Sequence, residues 1–320
     1  RAKGAMLSHD NLVANARTLV AAWRFTEHDV LIHALPIFHT HGLFVATNTL
    51  LLAGGTMLFL ERFDAETVVR LMPQATAMMG VPTYYTRLLA HPDFDRALAR
   101  GMRLFISGSA PLSAEVHKAF FERTGHAILE RYGMSETGMN TSNPYDGERR
   151  PGTVGLPLPD VQLRITDPET GALRPRGEVG VIEVKGPNVF TGYWGLEEKT
   201  AEAFRADGWF VTGDLARIDD DGYVHIVGRD KDLIISGGFN IYPAEVEAHL
   251  DALAGVAESA VIGVPHPDFG EGVTAVVALE PGAKLSEDEV RQALAGELAR
   301  FKQPKRVFFV PTLPRNAMGK

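Results

Sequence analysis

Four short apolar runs, at 31–35, 56–60, 75–79 and 103–107, alternate with stretches of helical spacing such as 64–72 and 113–123. Runs this short between helices are buried strands, and the alternation leaves room for little except an α/β layer around a mostly parallel sheet. A first helix precedes them: Ser8 is a good N-cap, and Leu12, Ala16, Leu19, Val20 and Trp23 recur at helical spacing. After Pro151 the texture becomes β-rich, with strand patterns at 161–166, 179–184, 209–212 and 223–227 and a hairpin turn at Asp219-Asp220-Asp221-Gly222. A smaller unit follows from Asp232, with helices at 244–250 and 287–299 and strands at 259–264 and 273–279. The expectation is a large α/β domain over residues 1–230, layered at 1–150 and β-rich at 151–230, then a small α+β domain over 231–320.

Composition removes several classes of function. A chain of 320 residues exceeds one ordinary core, and 45% hydrophobic with 22% charged residues is the balance of a soluble globular protein. The formal charge of −8, with no Lys/Arg block, gives nucleic acid no electrostatic track. The absence of cysteine removes disulfides, thiolate metal sites and a cysteine nucleophile, and a cytoplasmic home or an organellar matrix fits that usage. The stretch at 43–60 is interrupted by Thr47, Asn48, Thr49 and Gly54-Gly55, so a buried helix, a glycine turn and a strand explain it better than a membrane span. The chain starts at Arg1 without an initiator Met and stops at Lys320 in mid-motif, and so reads as a fragment of a longer protein.

Two runs carry chemistry. Glu130-Arg131-Tyr132-Gly133-Met134-Ser135-Glu136 follows the strand-like Ala127-Ile128-Leu129. A strand end followed by a glycine turn that offers an aromatic ring, a hydroxyl and a carboxylate can stack a purine, approach a phosphate and hold Mg²⁺, or be an ordinary turn. Ser107-Gly108-Ser109-Ala110-Pro111 ends another strand with small residues, which lets backbone approach a planar ligand or simply turn into the next helix.

These runs, with Thr212-Gly213-Asp214, Gly228-Arg229-Asp230-Lys231-Asp232, Ser236-Gly237-Gly238-Phe239-Asn240 and Pro314-Arg315-Asn316-Ala317-Met318-Gly319-Lys320, stand in the order of the adenylate-forming superfamily. That superfamily includes acyl-CoA synthetases, peptide-synthetase adenylation domains and luciferases, and the chain resembles it from end to end. The resemblance implies ATP, Mg²⁺ and coenzyme A. Lys3-Gly4 would close a phosphate loop whose earlier residues precede Arg1. Tyr132 would stack on adenine among the nucleotide contacts Ser107, Gly108, Gly133 and Met134, and Ser135 and Glu136 would serve phosphate and Mg²⁺. Asp214 and Arg229 would meet the ribose, and Lys231 would be the hinge of the small domain. Lys320 would reach the reacting carboxylate and the α-phosphate. Apart from the resemblance, Gly237-Gly238 offers side-chain-free passage for a pantetheine arm, and Arg300, Lys302, Lys305 and Arg306, the densest basic group of the small domain, would be cations for coenzyme A or a solubilising surface.

Pro36-Ile37-Phe38-His39-Thr40-His41-Gly42 matches the segment that lines the acyl pocket in this superfamily. His-x-His can ligate metal, yet this corner supplies too few ligands, so His39 reads as a pocket-lining or gating catalytic residue and His41 as structural. Synthetases for fatty or aromatic acids usually have glycine where this chain has Arg131. A guanidinium facing an apolar pocket must meet an anion, either an internal carboxylate or the second carboxylate of a substrate. Leu129–Met134 with Thr141-Ser142-Asn143-Pro144-Tyr145 and His39-Thr40-His41-Gly42 is similar to malonyl-CoA synthetases, which implies malonate or methylmalonate as the small dicarboxylic acid, with Ser109 adding a hydrogen bond. Three readings compete. They are a fatty or aryl acyl-CoA ligase, which would need an open tunnel at Arg131, a peptide-synthetase module, and a non-catalytic nucleotide-binding scaffold.

Overall fold

The computed structural model describes residues 3–315. Contacts divide the chain into two compact units, Arg1–Thr212 with Arg217–His225, and Gly213–Ala216 with Ile226–Lys320. Helix α1 (His9–Ala22) opens the first unit on a Ser8 capping box closed by Asn11. Then come β1 (Val30–His33), a π-helical stretch (His41–Thr47), α2 (Asn48–Ala53), β2 (Thr56–Phe59), α3 (Ala65–Leu71), β3 (Ala77–Gly80), α4 (Pro82–Leu89), β4 (Leu104–Ser107) and α5 (Ala114–Thr124). Asp64 and Ser113 cap α3 and α5 by accepting from the backbone three residues on. Strands β5 (Leu129–Met134), β6 (Gly138–Ser142) and β7 (Leu156–Pro157) complete a seven-stranded sheet of order β2-β1-β3-β4-β5-β6-β7. Its pairs from β2 to β5 are parallel and the last two antiparallel.

Alternation along these strands sends neighbouring residues to opposite faces. Leu31, Ala77, Met79, Leu104 and Ile106 pack with Leu19, Trp23, Val45 and Leu50 on one side. Ile32, Met78 and Phe105 pack with Val68, Tyr85, Leu88 and Phe120 on the other. Helices therefore cover both faces, the layered α/β arrangement expected. Two readings need correction. Helix α2 is buried only at Thr49 and Leu50, while Leu51 and Leu52 are exposed. The run from Leu129 to Met134 is strand, not turn, because β6 folds back on it from Gly138, and the turn is confined to 135–137.

Next come β8 (Gln162–Thr166), β9 (Gly180–Lys185), α6 (Glu197–Ala203), β10 (Phe210–Ile218) and β11 (Val224–Arg229), whose four strands form one sheet of order β11-β10-β9-β8. The Asp219–Gly222 turn forms as read, with Gly222 N–H donating to Asp219 O at 3.0 Å. The second unit continues with β12 (Ile234–Ser236), β13 (Phe239–Ile241), α7 (Pro243–Asp251), β14 (Val256–His266), β15 (Gly270–Leu279), α8 (Glu287–Ala295) and β16 (Arg306–Val310). Its sheet is packed through Ile234, Val261, Val273, Ala275 and Val277 against Val246, Leu250, Val290 and Leu294 of the two helices. No helix of the described residues is long and apolar enough to cross a membrane.

Candidate active site

Parallel sheets present ligands at the carboxyl ends of their strands, and the polar groups of the first unit converge there. Ser107 ends β4 opposite Glu130 of β5, which sets Arg131 beside Gly108. A Cβ on Gly108 would come within 2.3 Å of the Arg131 guanidinium carbon, so the guanidinium lies flat against a backbone that only glycine leaves open.

Arg131 is 3% exposed, and its Nε and Nη2 have no hydrogen-bond partner among the described residues. Burial pushes its pKa down to about 10, with Tyr85 opposing that shift. No carboxylate pairs with it among the described residues. Its neighbour Glu130 points to the other side of the strand, where Oε1 lies 3.3 Å from His117 Nδ1 and accepts from Gly152 N–H. Tyr85, fully buried, donates to Ile106 O and closes the wall beside the guanidinium. Ser107 Oγ is buried and also has no hydrogen-bond partner among the described residues. Unpaired buried polar groups cost free energy, and these two lie at adjacent strand ends where a polar ligand or water can pair with them.

Ser109 holds a left-handed backbone (φ 69°), uncommon for a residue other than glycine. Its hydroxyl lies 3.2 Å from Nδ1 of buried His41, which ties His41 to the strand end. The half-buried His39 accepts from His41 N–H at its Nδ1 (3.1 Å), which leaves its ring proton on Nε2. Thr40 Oγ1 donates to Ser135 Oγ at 3.2 Å, linking the 36–42 corner to the 135–137 turn.

That turn is held by side chains the sequence reading did not single out. Asn15 of α1 clamps Met139 as a strand would, donating from Nδ2 to its carbonyl (2.9 Å) and accepting its N–H at Oδ1 (3.0 Å). Asn188 donates to Thr137 O, and Phe190 N–H to Glu136 O at 2.8 Å. Asn15 was detectable as a polar residue on the apolar side of α1, whereas Asn188 had no such signal. Tyr132, Gly133 and Met134 lead into the turn half-buried, with a register irregularity between Tyr132 and Gly133, and Ser135 is exposed. Glu136 accepts from Tyr193 Oη at 3.0 Å. Lys3 lies with its ammonium 4.3 Å from the Tyr193 ring centroid.

In the second unit, Asp214 is 6% exposed and lies 3.2 Å from Arg229 Nε, so the two residues assigned to the ribose are adjacent. Lys231 is exposed in a short 3₁₀ turn. Gly237 and Gly238 (φ 58° and 81°) are the two-residue loop joining β12 to β13. Such a loop needs positive φ at both positions, a requirement for glycine independent of any passing ligand. Lys302 is paired with Glu245 at 2.5 Å and Lys305 lies 5.3 Å from the Phe269 ring, while Arg300 and Arg306 are exposed. Lys320 lies outside the described residues.

Among the described residues no three His, Cys, Asp or Glu side chains gather to hold a metal. Glu136 alone offers a hard carboxylate oxygen at the turn. That fits Mg²⁺, which takes one or two carboxylates and completes its shell with phosphates and water.

Comparison with known proteins agrees with this arrangement. The sequence pattern of the AMP-binding enzymes matches residues 1–194, and that of the AMP-binding enzyme C-terminal domain matches residues 245–320. The mitochondrial malonate–CoA ligase of Mus musculus is 39% identical over 355 residues, spanning 100% of this chain and 61% of the relative. A feruloyl-CoA synthase from an Amycolatopsis species is 40% identical over 324 residues, spanning 100% of this chain and 65% of that protein. The crystal structure of ATP-bound MatB from Rhodopseudomonas palustris superposes with a TM-score of 0.98 at 63% identity, over 100% of this chain and 63% of that one. This chain thus spans about three fifths of the length of the relatives it matches. Fold, site and sequence pattern together identify the chain as a member of the AMP-binding enzyme family.

Proposed function

We propose that the whole protein is an ATP-dependent acid–thiol ligase that activates malonate, with methylmalonate as the nearest alternative, and passes the acyl group to coenzyme A. The observation that carries this reading is Arg131, a buried guanidinium at a strand end with two donor atoms unpaired. A dicarboxylic acid supplies the missing charge with one carboxylate and keeps the other for reaction, and the guanidinium fork suits a carboxylate. The malonate–CoA ligase from mouse supports the choice. The feruloyl-CoA synthase favours an aryl acid, but an aromatic ring against Arg131 would leave its charge unpaired.

In this reading one malonate oxygen bonds to the α-phosphorus of ATP and pyrophosphate leaves. The thiol of coenzyme A then bonds to the acyl carbon and gives up its proton to solvent, and AMP leaves with the electron pair of the broken C–O bond. Tyr132 stacks on adenine, Asp214 and Arg229 hold the ribose, and Lys3, Ser135 and Glu136 face the phosphates. Mg²⁺ beside Glu136 would offset phosphate charge. His39 lines the acyl pocket, and Lys320 offsets the repulsion between carboxylate and phosphate during adenylation. Lys231 serves as the hinge between the two half-reactions. A cytoplasmic or organellar-matrix location suits these substrates, and the mouse relative is mitochondrial.

The test is CoA-dependent AMP release by the full-length protein with acetate, malonate, methylmalonate, succinate, octanoate and benzoate. Malonate or methylmalonate should lead by at least about tenfold. Octanoate or benzoate in first place would overturn the assignment, and ATP binding without product from any acid would make the protein a nucleotide-binding scaffold.

A further inference from the structure

Tyr193 lies in the segment after β9, carries none of the roles assigned above, and touches both charged groups at the phosphate end of the site. Its backbone bridges Ala5 antiparallel. Around that bridge Met6 N–H donates to Gly192 O (2.9 Å), Thr191 N–H to Met6 O (3.0 Å) and Trp194 N–H to Gly4 O (2.8 Å). The register of residues 4–6 is thereby fixed, and Lys3 is delivered to the ring face, 4.3 Å from the centroid. The same side chain donates its hydroxyl to Glu136 Oε1 at 3.0 Å. The ring is held in place itself. Its backbone N–H donates to Thr200 Oγ1 at 2.9 Å, Phe190 packs edge-on at 4.9 Å, and the residue is 5% exposed.

The arrangement solves an electrostatic problem. An ammonium and a carboxylate that both serve one polyphosphate attract each other, and a direct pair would neutralise both before the ligand arrives. A ring face holds an ammonium without using its three N–H donors, and a phenol donor fixes Glu136 Oε1 while leaving Oε2 clear of that bond.

We infer that Tyr193 is a positioning residue for the phosphate end of the nucleotide site: its ring stations the Lys3 ammonium and its hydroxyl aims the Glu136 carboxylate. This rests on the reading of that end as the place where ATP phosphates bind. It predicts that the two halves of the side chain separate by substitution. Tyr193→Phe keeps the ring and loses the hydroxyl, and Tyr193→Leu loses both.

The experiment is calorimetric titration of the full-length protein with ATP, once in EDTA and once with Mg²⁺, alongside malonate KM and a thermal melt. Y193F should bind metal-free ATP as the wild type does and lose about tenfold to a hundredfold of the affinity gained on adding Mg²⁺, the size of one hydrogen bond to a charged group. Its malonate KM and Tm should be unchanged. Y193L should weaken metal-free ATP as well. An unchanged Mg²⁺ gain in Y193F, or equal losses with and without Mg²⁺, would overturn the inference and leave Tyr193 a tie between chain segments. A wild type that binds no ATP would instead sink the underlying reading of the site.

Discussion

Replacing Arg131 with Leu in the full-length protein should move stability and activity in opposite directions. Burial pushes the Arg131 pKa down from that of a free guanidinium to about 10, so holding it charged costs on the order of 3 kcal/mol. The sign follows from the direction of the shift. The folded state disfavours the charged form, so the cost is full at every pH below the folded value and fades only as pH rises toward that of the free side chain. Leucine fills much of the space, between Tyr85 and the Gly108 backbone, without that cost, and exchanging a buried charge for an apolar side chain is often stabilising by about 1–4 kcal/mol. Thermal melts between pH 6 and 8 should therefore show the variant a few degrees above the wild type. Malonate should stabilise the wild type and not the variant. Loss of a charged partner for the distal carboxylate should reduce malonate kcat/KM by about 2–5 kcal/mol, more than thirtyfold, with ATP affinity unchanged. A variant that melts several degrees lower, or that uses malonate normally, would refute the argument that Arg131 is unpaired in order to meet substrate.

Gly108→Ala should displace the guanidinium, since its Cβ would fall 2.3 Å from Arg131 Cζ. Malonate KM should rise about tenfold, and by more than ATP KM. Asp29→Asn tests a purely structural ion pair. Burial would raise the Asp29 pKa, but bonds from Arg103 (2.6 and 2.8 Å), Thr76 and the Thr26 backbone overcome it and leave the pKa lowered. That stability is present above the ordinary carboxylate pKa and lost as pH falls through the folded value, so urea unfolding should show a deficit of about 3–5 kcal/mol at pH 7 that shrinks by pH 3. A deficit independent of pH would contradict the pairing. Lys320→Ala should slow malonyl-adenylate formation by several orders of magnitude and spare thioester formation from supplied adenylate, read by single-turnover kinetics on each step. Equal loss in both steps would show that Lys320 is not the adenylation lysine.

Much of the layered fold was legible because strand periodicity and caps are local. Leu31, Ala77 and Leu104 alternate with Ile32, Met78 and Phe105, and Ser8, Asp64 and Ser113 open their helices as their side chains dictate. What failed was set by partners outside the run being read. The run through Met134 became strand because Gly138–Ser142 pairs with it, and Gly133 alone signalled a turn. At the site, the residue type at 131 was visible, but the lack of a partner for it depends on Glu130 turning toward His117, a contact between residues 13 apart. Tyr193 was hidden for the same reason, since its hydroxyl meets a carboxylate 57 residues away.

The central claim, that Arg131 reads the second carboxylate of the acid, is tested most directly by changing the acid rather than the protein. Malonate and its monoamide have nearly the same shape and differ in the charge of one end. The measurement is kcat/KM for adenylate formation with each, in the wild type and in Arg131→Leu. The wild type should prefer malonate by at least about a hundredfold and the variant should treat the two alike, because a buried guanidinium left without an anion keeps its desolvation cost. A wild type that activates the monoamide as well as malonate would contradict the account.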